Sequence, residues 1–146
     1  MRESWDDFFL GMAEFASKRS KDPSTKVGAI IVEPNTNILI SMGYNGFPRN
    51  IADLPERLED RKIKYRYIIH GDVNAILNAY RSVVGYTMYV WPFSPCSDCA
   101  KIIVQSGIKR VVTKKATSEF IERWKDSLSL TRELFTEAGV EFIERD

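Results

Sequence analysis

The sequence predicts an α/β fold: a three-layer α-β-α sandwich around a central mixed five-stranded sheet. Three observations carry it. Helical and strand periods alternate along the chain, the first two strand patterns are joined by a short turn, and the later ones are separated by helical patterns. The short turn gives an antiparallel hairpin, and helical connections give a sheet covered by helices. The chain of 146 residues, 44% hydrophobic and 28% charged, suits one domain over 1–146 with a sizeable core.

The elements follow in order. Trp5, Phe8, Phe9, Met12, Phe15 and Ala16 recur at helical spacing, so roughly 3–19 is expected as an amphipathic helix with its aromatic stripe in the core. Val27 to Val32 is a β-branched run, Pro34-Asn35-Thr36-Asn37 a turn, and Ile38 to Met42 a second strand. Residues 44–69 hold glycine, proline and asparagine turn signals and a charged stretch from Arg57 to Arg66. A connection this long is functional or carries a short helix of its own. Residues 71–81 read as a helix with Val73, Ile76, Leu77 and Tyr80 on one face. Thr87 to Trp91 is a strand, 97–106 a helix, and Arg110 to Thr113 a strand. One or two helices fill 117–138, Gly139 stops them, and Val140 to Ile143 is the last strand.

Charge and composition exclude several functions. The formal net charge is +1, which disfavours a protein built to bind a nucleic-acid polymer. No apolar run reaches the roughly 18 residues of a membrane span. The acidic start, Glu3 to Asp7, is followed by no secretory apolar block, so a cytoplasmic protein is expected.

There are two cysteines, in Pro95-Cys96-Ser97-Asp98-Cys99. A pair three positions apart at a loop-to-helix junction places both sulfurs at a helix start, where the helix dipole favours the metal-binding thiolate. A redox pair, half of a structural zinc site and a catalytic zinc site all fit this motif. The single histidine, His70, opens another helix. A closed structural zinc site takes four Cys or His ligands, and the chain supplies three. Three protein ligands and one open position is the catalytic arrangement, in which zinc brings a water close to neutral acidity. A redox role predicts no zinc and a reversible disulfide.

His70-Gly71-Asp72-Val73-Asn74-Ala75-Ile76, followed by Pro95-Cys96-Ser97-Asp98-Cys99, resembles the cytidine and deoxycytidylate deaminase superfamily. Ser20-Lys21-Asp22-Pro23-Ser24-Thr25-Lys26-Val27-Gly28-Ala29 and Gly43-Tyr44-Asn45-Gly46-Phe47-Pro48 resemble its deoxycytidylate (dCMP) branch, as does Cys99-Ala100-Lys101 leading to Gly107-Ile108-Lys109. The resemblance spans nearly the whole chain. It implies a cytidine-deaminase-like fold and a zinc ion held by His70, Cys96 and Cys99. It also implies hydrolysis of dCMP to dUMP and ammonia, with a carboxylate two residues after the histidine moving protons.

At that position the family reads Glu, usually as His-Ala-Glu, and this chain reads His70-Gly71-Asp72. Aspartate is shorter by one C–C bond, about 1.5 Å. A proton shuttle works within about 2.6–3.2 Å of its partner, and misplacement of about 1 Å can cost about a hundredfold. Gly71 would let the backbone shift inward in compensation. A weak or silent nucleotide-binding homologue therefore stands as an alternative, beside deaminases of dCTP, cytidine or a C5-modified dCMP.

The resemblance also implies a sugar contact from Asn45. Lys21 and Lys26, chosen from the nearby cations Lys18, Arg19 and Arg49, are expected at the phosphate. Val27 and Ser94 are expected to line the site, and Phe93 or Trp91 to stack on the base. A homo-oligomer controlled by dCTP or dTTP is implied too, with Arg49 and Lys62 in the basic 44–69 segment as effector contacts.

Overall fold

In the computed structural model, residues 1–146 are described throughout. The elements are α1 (Trp5–Ser17), β1 (Gly28–Glu33), β2 (Ile38–Tyr44), α2 (Pro55–Leu58), α3 (Arg61–Tyr67), α4 (Gly71–Asn78), β3 (Thr87–Trp91), α5 (Ser97–Ser106), β4 (Arg110–Lys114), α6 (Ser118–Arg123), α7 (Lys125–Ala138) and β5 (Glu141–Arg145). The five strands form one sheet in the order β2-β1-β3-β4-β5. β1 pairs antiparallel with β2 and β3, while β3–β4 and β4–β5 are parallel. The expected mixed sheet is present. The 44–69 connection carries two short helices, and the 117–138 segment divides into α6 and α7.

Both faces of the sheet are covered, which explains why Val27 to Val32 reads as a continuous apolar run rather than an alternation. Ile30, Val32, Tyr89 and Val112 pack with Phe9, Leu10 and Ala13 of α1. The intervening residues Ala29, Ile31, Met88, Val90 and Val111 pack with Ala75 of α4, Ala100 and Ile103 of α5, and Phe135 of α7. Period-two alternation thus assigns each strand residue to one of two helical layers.

Two sequence expectations are corrected here. The aromatic stripe of α1 is not all core: Phe9 is buried, but Trp5, Phe8 and Phe15 are exposed, Phe15 to 73%. The side of α1 carrying the small residues Ala13 and Ala16 faces the sheet instead. The helix expected over 71–81 ends at Asn78; Leu77 on α4 and Tyr80 beyond it are likewise exposed, and Gly71, Asp72 and Ala75 are the buried residues.

The reason on α4 is close backbone approach. A Cβ at Gly43 would stand 2.3 Å from the Ala75 nitrogen and 2.5 Å from the Gly71 carbonyl oxygen. The side-chain-free position in β2 lets α4 lie directly on the strand, so the face with the smallest residues turns inward. Ser41 Oγ then donates to the Ala75 carbonyl at 2.7 Å, and Asn74 Nδ2 to the Tyr44 carbonyl at 2.8 Å. These contacts fix the start of α4.

Candidate active site

His70 is the N-cap of α4 and Cys96 the N-cap of α5. The segment before His70 is held by a bridge between Gly46 and Ile69, whose N–H groups donate to each other's carbonyls at 3.1 and 2.8 Å. The Pro95-Cys96 turn is fixed from α7, where Thr131 Oγ donates to the Pro95 carbonyl at 3.1 Å and Ser127 Oγ accepts from the Ser97 N–H at 3.0 Å. Two helix starts are thereby brought face to face.

His70 Nδ1 lies 3.1 Å from Cys99 Sγ and 3.5 Å from Cys96 Sγ, and the three donor atoms fall within 4.8 Å of one another. Tetrahedral zinc, with Zn–S about 2.3 Å and Zn–N about 2.0 Å, sets neighbouring donors roughly 3.5–3.8 Å apart. The trio therefore fits such an ion with small adjustment.

The acid–base character of the trio points the same way. The Cys96 thiol is pulled down to about 4, first by the hydrogen bond from Cys99 and then by His70. Cys99 is pushed up by that same hydrogen bond, by burial and by the Asp72 charge. His70 is raised, chiefly by its hydrogen bond to Cys96, and Asp72 is raised by burial. Four ionisable groups in one place cannot all take their metal-binding form unaided. A divalent cation would stabilise both thiolates and leave the imidazole neutral.

Asp72 is 3% exposed, and its Oδ1 accepts from the Val73 N–H at 3.1 Å. It lines a cavity of about 690 Å³ together with His70 and Cys96, a volume suited to a small organic ligand. Val27, Asn45, Phe93 and Ser94 line the same cavity. Phe93 stacks on Phe120 at 4.0 Å between centroids. Trp91 is absent from the lining and packs with the α1 layer, which removes it as a base platform.

The cavity mouth differs from expectation. Lys21 is turned to Asp53 at 3.0 Å, Lys26 donates to the Ser20 carbonyl, and neither lines the cavity. Arg49 donates to Asn78 Oδ1 at 3.0 Å, and it and the exposed Lys62 also lie off the lining. The cations that line the cavity are Arg61, Lys64 and Arg123. Lys64 forms a buried ion pair with Asp22 at 2.9 Å, both side chains about 5% exposed (4% and 6%). Arg61 and Arg123 have no carboxylate partner; each lies over a neighbouring aromatic ring, Tyr65 and Trp124.

Asn45 is already engaged. Its Oδ1 accepts from the Val27 N–H at 2.8 Å, and its Nδ2 donates to the Thr25 carbonyl at 2.9 Å and toward Asp22 at 3.3 Å. Asp22 also accepts from the Ser24 and Thr25 N–H groups. Asn45, Asp22 and Lys64 therefore shape the 22–27 wall. Arg61, Lys64, Tyr65 and Ile68 line the cavity at i, i+3, i+4, i+7, and so do Phe120, Arg123, Trp124 and Ser127. That helical spacing is the signal by which the sequence could have disclosed both walls.

The zinc-binding region of cytidine and deoxycytidylate deaminases matches residues 3–115. The chain is similar to an uncharacterized deaminase from the luxG 3′ region of Aliivibrio fischeri, with 39% identity covering 97% of this chain and 93% of the relative. It is also similar to Homo sapiens deoxycytidylate deaminase, with 40% identity covering 94% and 78%. Among solved structures it resembles the dCMP deaminase of cyanophage S-TIM5 in complex with dCMP and dUMP. That match has TM-score 0.75 and 25% identity, and covers 100% and 99% of the two chains.

Proposed function

The chain belongs to the cytidine and deoxycytidylate deaminase family, and from that premise we propose that it hydrolyses dCMP to dUMP and ammonia at the cavity lined by His70, Asp72 and Cys96. The observation that carries the reading is that a cluster of three metal donors, His70, Cys96 and Cys99, reaches one nucleotide-sized cavity through His70 and Cys96, beside the buried carboxylate of Asp72. Zinc held by the three donors supplies Lewis acidity that makes water a competent nucleophile near neutral pH.

The chain's own residues do the rest. Asp72 takes a proton from the attacking water as the oxygen bonds to C4 of the base. It delivers that proton to N3 and carries the next one to the exocyclic amine, whose bond to C4 then breaks. Water and cytosine thus give uracil and ammonia, and the carboxylate is returned unchanged. Phe93, backed by Phe120, offers a flat apolar surface to the base. Val27 and Asn45 form another part of the wall, rigid because Asn45 is tied to the Val27 and Thr25 backbone.

Arg61 and Arg123, rather than Lys21 and Lys26, take the role at the phosphate. They face the cavity mouth and are free of carboxylates, so a dianionic phosphate meets uncompensated charge there. The proposal includes self-association through exposed apolar residues on and beside α4 and α5, Leu77, Tyr80 and Ile102. It includes a separate effector position for dCTP or dTTP near Arg49 and Lys62, outside the cavity. It also includes a cytoplasmic working place; no helix is long and apolar enough to cross a membrane.

Ammonia release from dCMP, deoxycytidine, dCTP and cytidine, measured on the zinc-loaded chain, tests the reading. dCMP is expected to have the highest kcat/KM. Preference for an unphosphorylated nucleoside would refute the phosphate assignment, and inertness toward all four would refute the reaction.

A further inference from the structure

We propose that Gly71 and Asp72 work as a matched pair, in which the missing Cβ at 71 seats the start of α4 deep enough for the short carboxylate of Asp72 to reach the reacting atoms. The inference rests on the reading of Asp72 as the proton carrier and makes Gly71 its positioning residue.

The start of α4 is pressed against the strand ends with no side chain between. A Cβ on Gly71 would stand 3.1 Å from the Val27 carbonyl oxygen, 3.3 Å from the Asn45 nitrogen and 3.3 Å from the Tyr44 Cα. All three are backbone atoms. They cannot rotate away, and they are joined to each other, since the Asn45 N–H donates to the Val27 carbonyl at 3.2 Å. Asn45 Oδ1 holds the Val27 N–H as well. A side chain at 71 would therefore push the helix start out rather than push the wall back. Ordinary Cβ contacts begin near 3.4 Å, so the displacement is a few tenths of an ångström.

That distance matters because Asp72 is adjacent in sequence and moves with the same turn. Its carboxylate is about 1.5 Å shorter in reach than the glutamate of the family signature. The seat recovers part of that difference. If 1 Å of misplacement costs about a hundredfold, a few tenths cost roughly three- to fivefold. Glycine is also a poor helix former, so nothing in helix propensity favours it here.

The test is a cycle of four zinc-loaded proteins: native, Gly71→Ala, Asp72→Glu and the double variant. Measured for each are kcat and KM for dCMP, zinc content, and the melting temperature with and without chelator. Gly71→Ala is expected to lower kcat roughly three- to fivefold with KM and zinc content unchanged. In the Asp72→Glu background the same change is expected to be neutral or to raise kcat. The melting shift of the metal-free protein caused by Gly71→Ala is expected to be the same in both backgrounds, because crowding against Val27 and Asn45 does not involve the carboxylate.

An equal kcat factor in both backgrounds overturns the pairing. If Gly71→Ala does not fold, a crystal structure of the zinc-loaded native protein decides: an Asp72 carboxylate oxygen within about 3.2 Å of the metal-bound water supports the pairing, and a longer separation overturns it. Absence of turnover by the native zinc-loaded chain overturns the functional reading and the pairing together. Native turnover with an additive cycle overturns the pairing alone.

Discussion

The floor of the cavity and its mouth are built by different means. The floor is two helix starts, α4 and α5, packed on the edge strand β2 and its neighbours β1 and β3 and backed by fully buried Ala75, Ala100 and Ile103. Its donors lie within a few residues of one another in two short motifs. The mouth is the 22–27 segment, α3 and α6, held by one buried ion pair, one asparagine and aromatic stacking. Rigid chemistry is thus placed on the sheet, and recognition is placed on segments that the sheet does not support. The comparison implies that floor variants lose metal and turnover while mouth variants lose stability or substrate affinity.

The largest effect should come from the floor. Cys99→Ser is expected to lower zinc content and to reduce dCMP deamination by more than the roughly 100-fold that loss of an outer-sphere metal partner costs. Zinc analysis beside an ammonia assay would show it. Next comes the mouth ion pair. Lys64→Met leaves Asp22 buried without its cation, and unfolding by urea should reveal a loss of about 3–5 kcal/mol. If the floor is independent, that variant still binds one zinc when folded.

Smaller again is the phosphate contact. Arg61→Ala and Arg123→Ala should each raise KM for dCMP about tenfold, the value of one charge-assisted hydrogen bond, and leave deoxycytidine kinetics unchanged. An equal loss for both substrates would move these arginines from recognition to structure.

The smallest effect lies behind the sheet, away from both regions. Arg110 donates to Asp6 Oδ1 at 2.9 Å and Oδ2 at 2.7 Å, joining α1 to β4. The Arg110 hydrogen bonds hold the Asp6 carboxyl below its ordinary value. A depressed folded value stabilises the protein above the unfolded carboxyl range near pH 3.9 and loses that stabilisation as pH falls through the folded value. Arg110→Ala should therefore cost about 0.5–1 kcal/mol at pH 7 and little near pH 2, with kcat and zinc content at pH 7 unchanged.

The same contrast explains what the sequence discloses. His70, Cys96 and Cys99 are legible because helix-start placement and cysteine spacing are local properties. The mixed sheet is legible because strand and helix periods alternate. Lys64 is not legible: within Arg57 to Arg66 it reads as one more solvated charge, and its partner Asp22 is 42 residues away. The inward face of α4 is not legible from Leu77 and Tyr80, because the decisive contact is between backbones at Gly43 and Gly71. Phe15 misleads for a related reason, since the sheet takes the small side of α1. Periodicity marks a face, and close approach decides which way it turns.

In the proposed mechanism Asp72 carries protons at a zinc site made by His70, Cys96 and Cys99. The most direct measurement is kcat for dCMP in Asp72→Asn, beside its zinc content and its KM. The amide keeps the shape of the side chain and removes its proton-carrying function. With one zinc bound per chain and KM little changed, kcat is expected to fall by about 10²–10⁴-fold. A zinc-loaded Asp72→Asn protein that deaminates dCMP within about threefold of the native rate would contradict the claim.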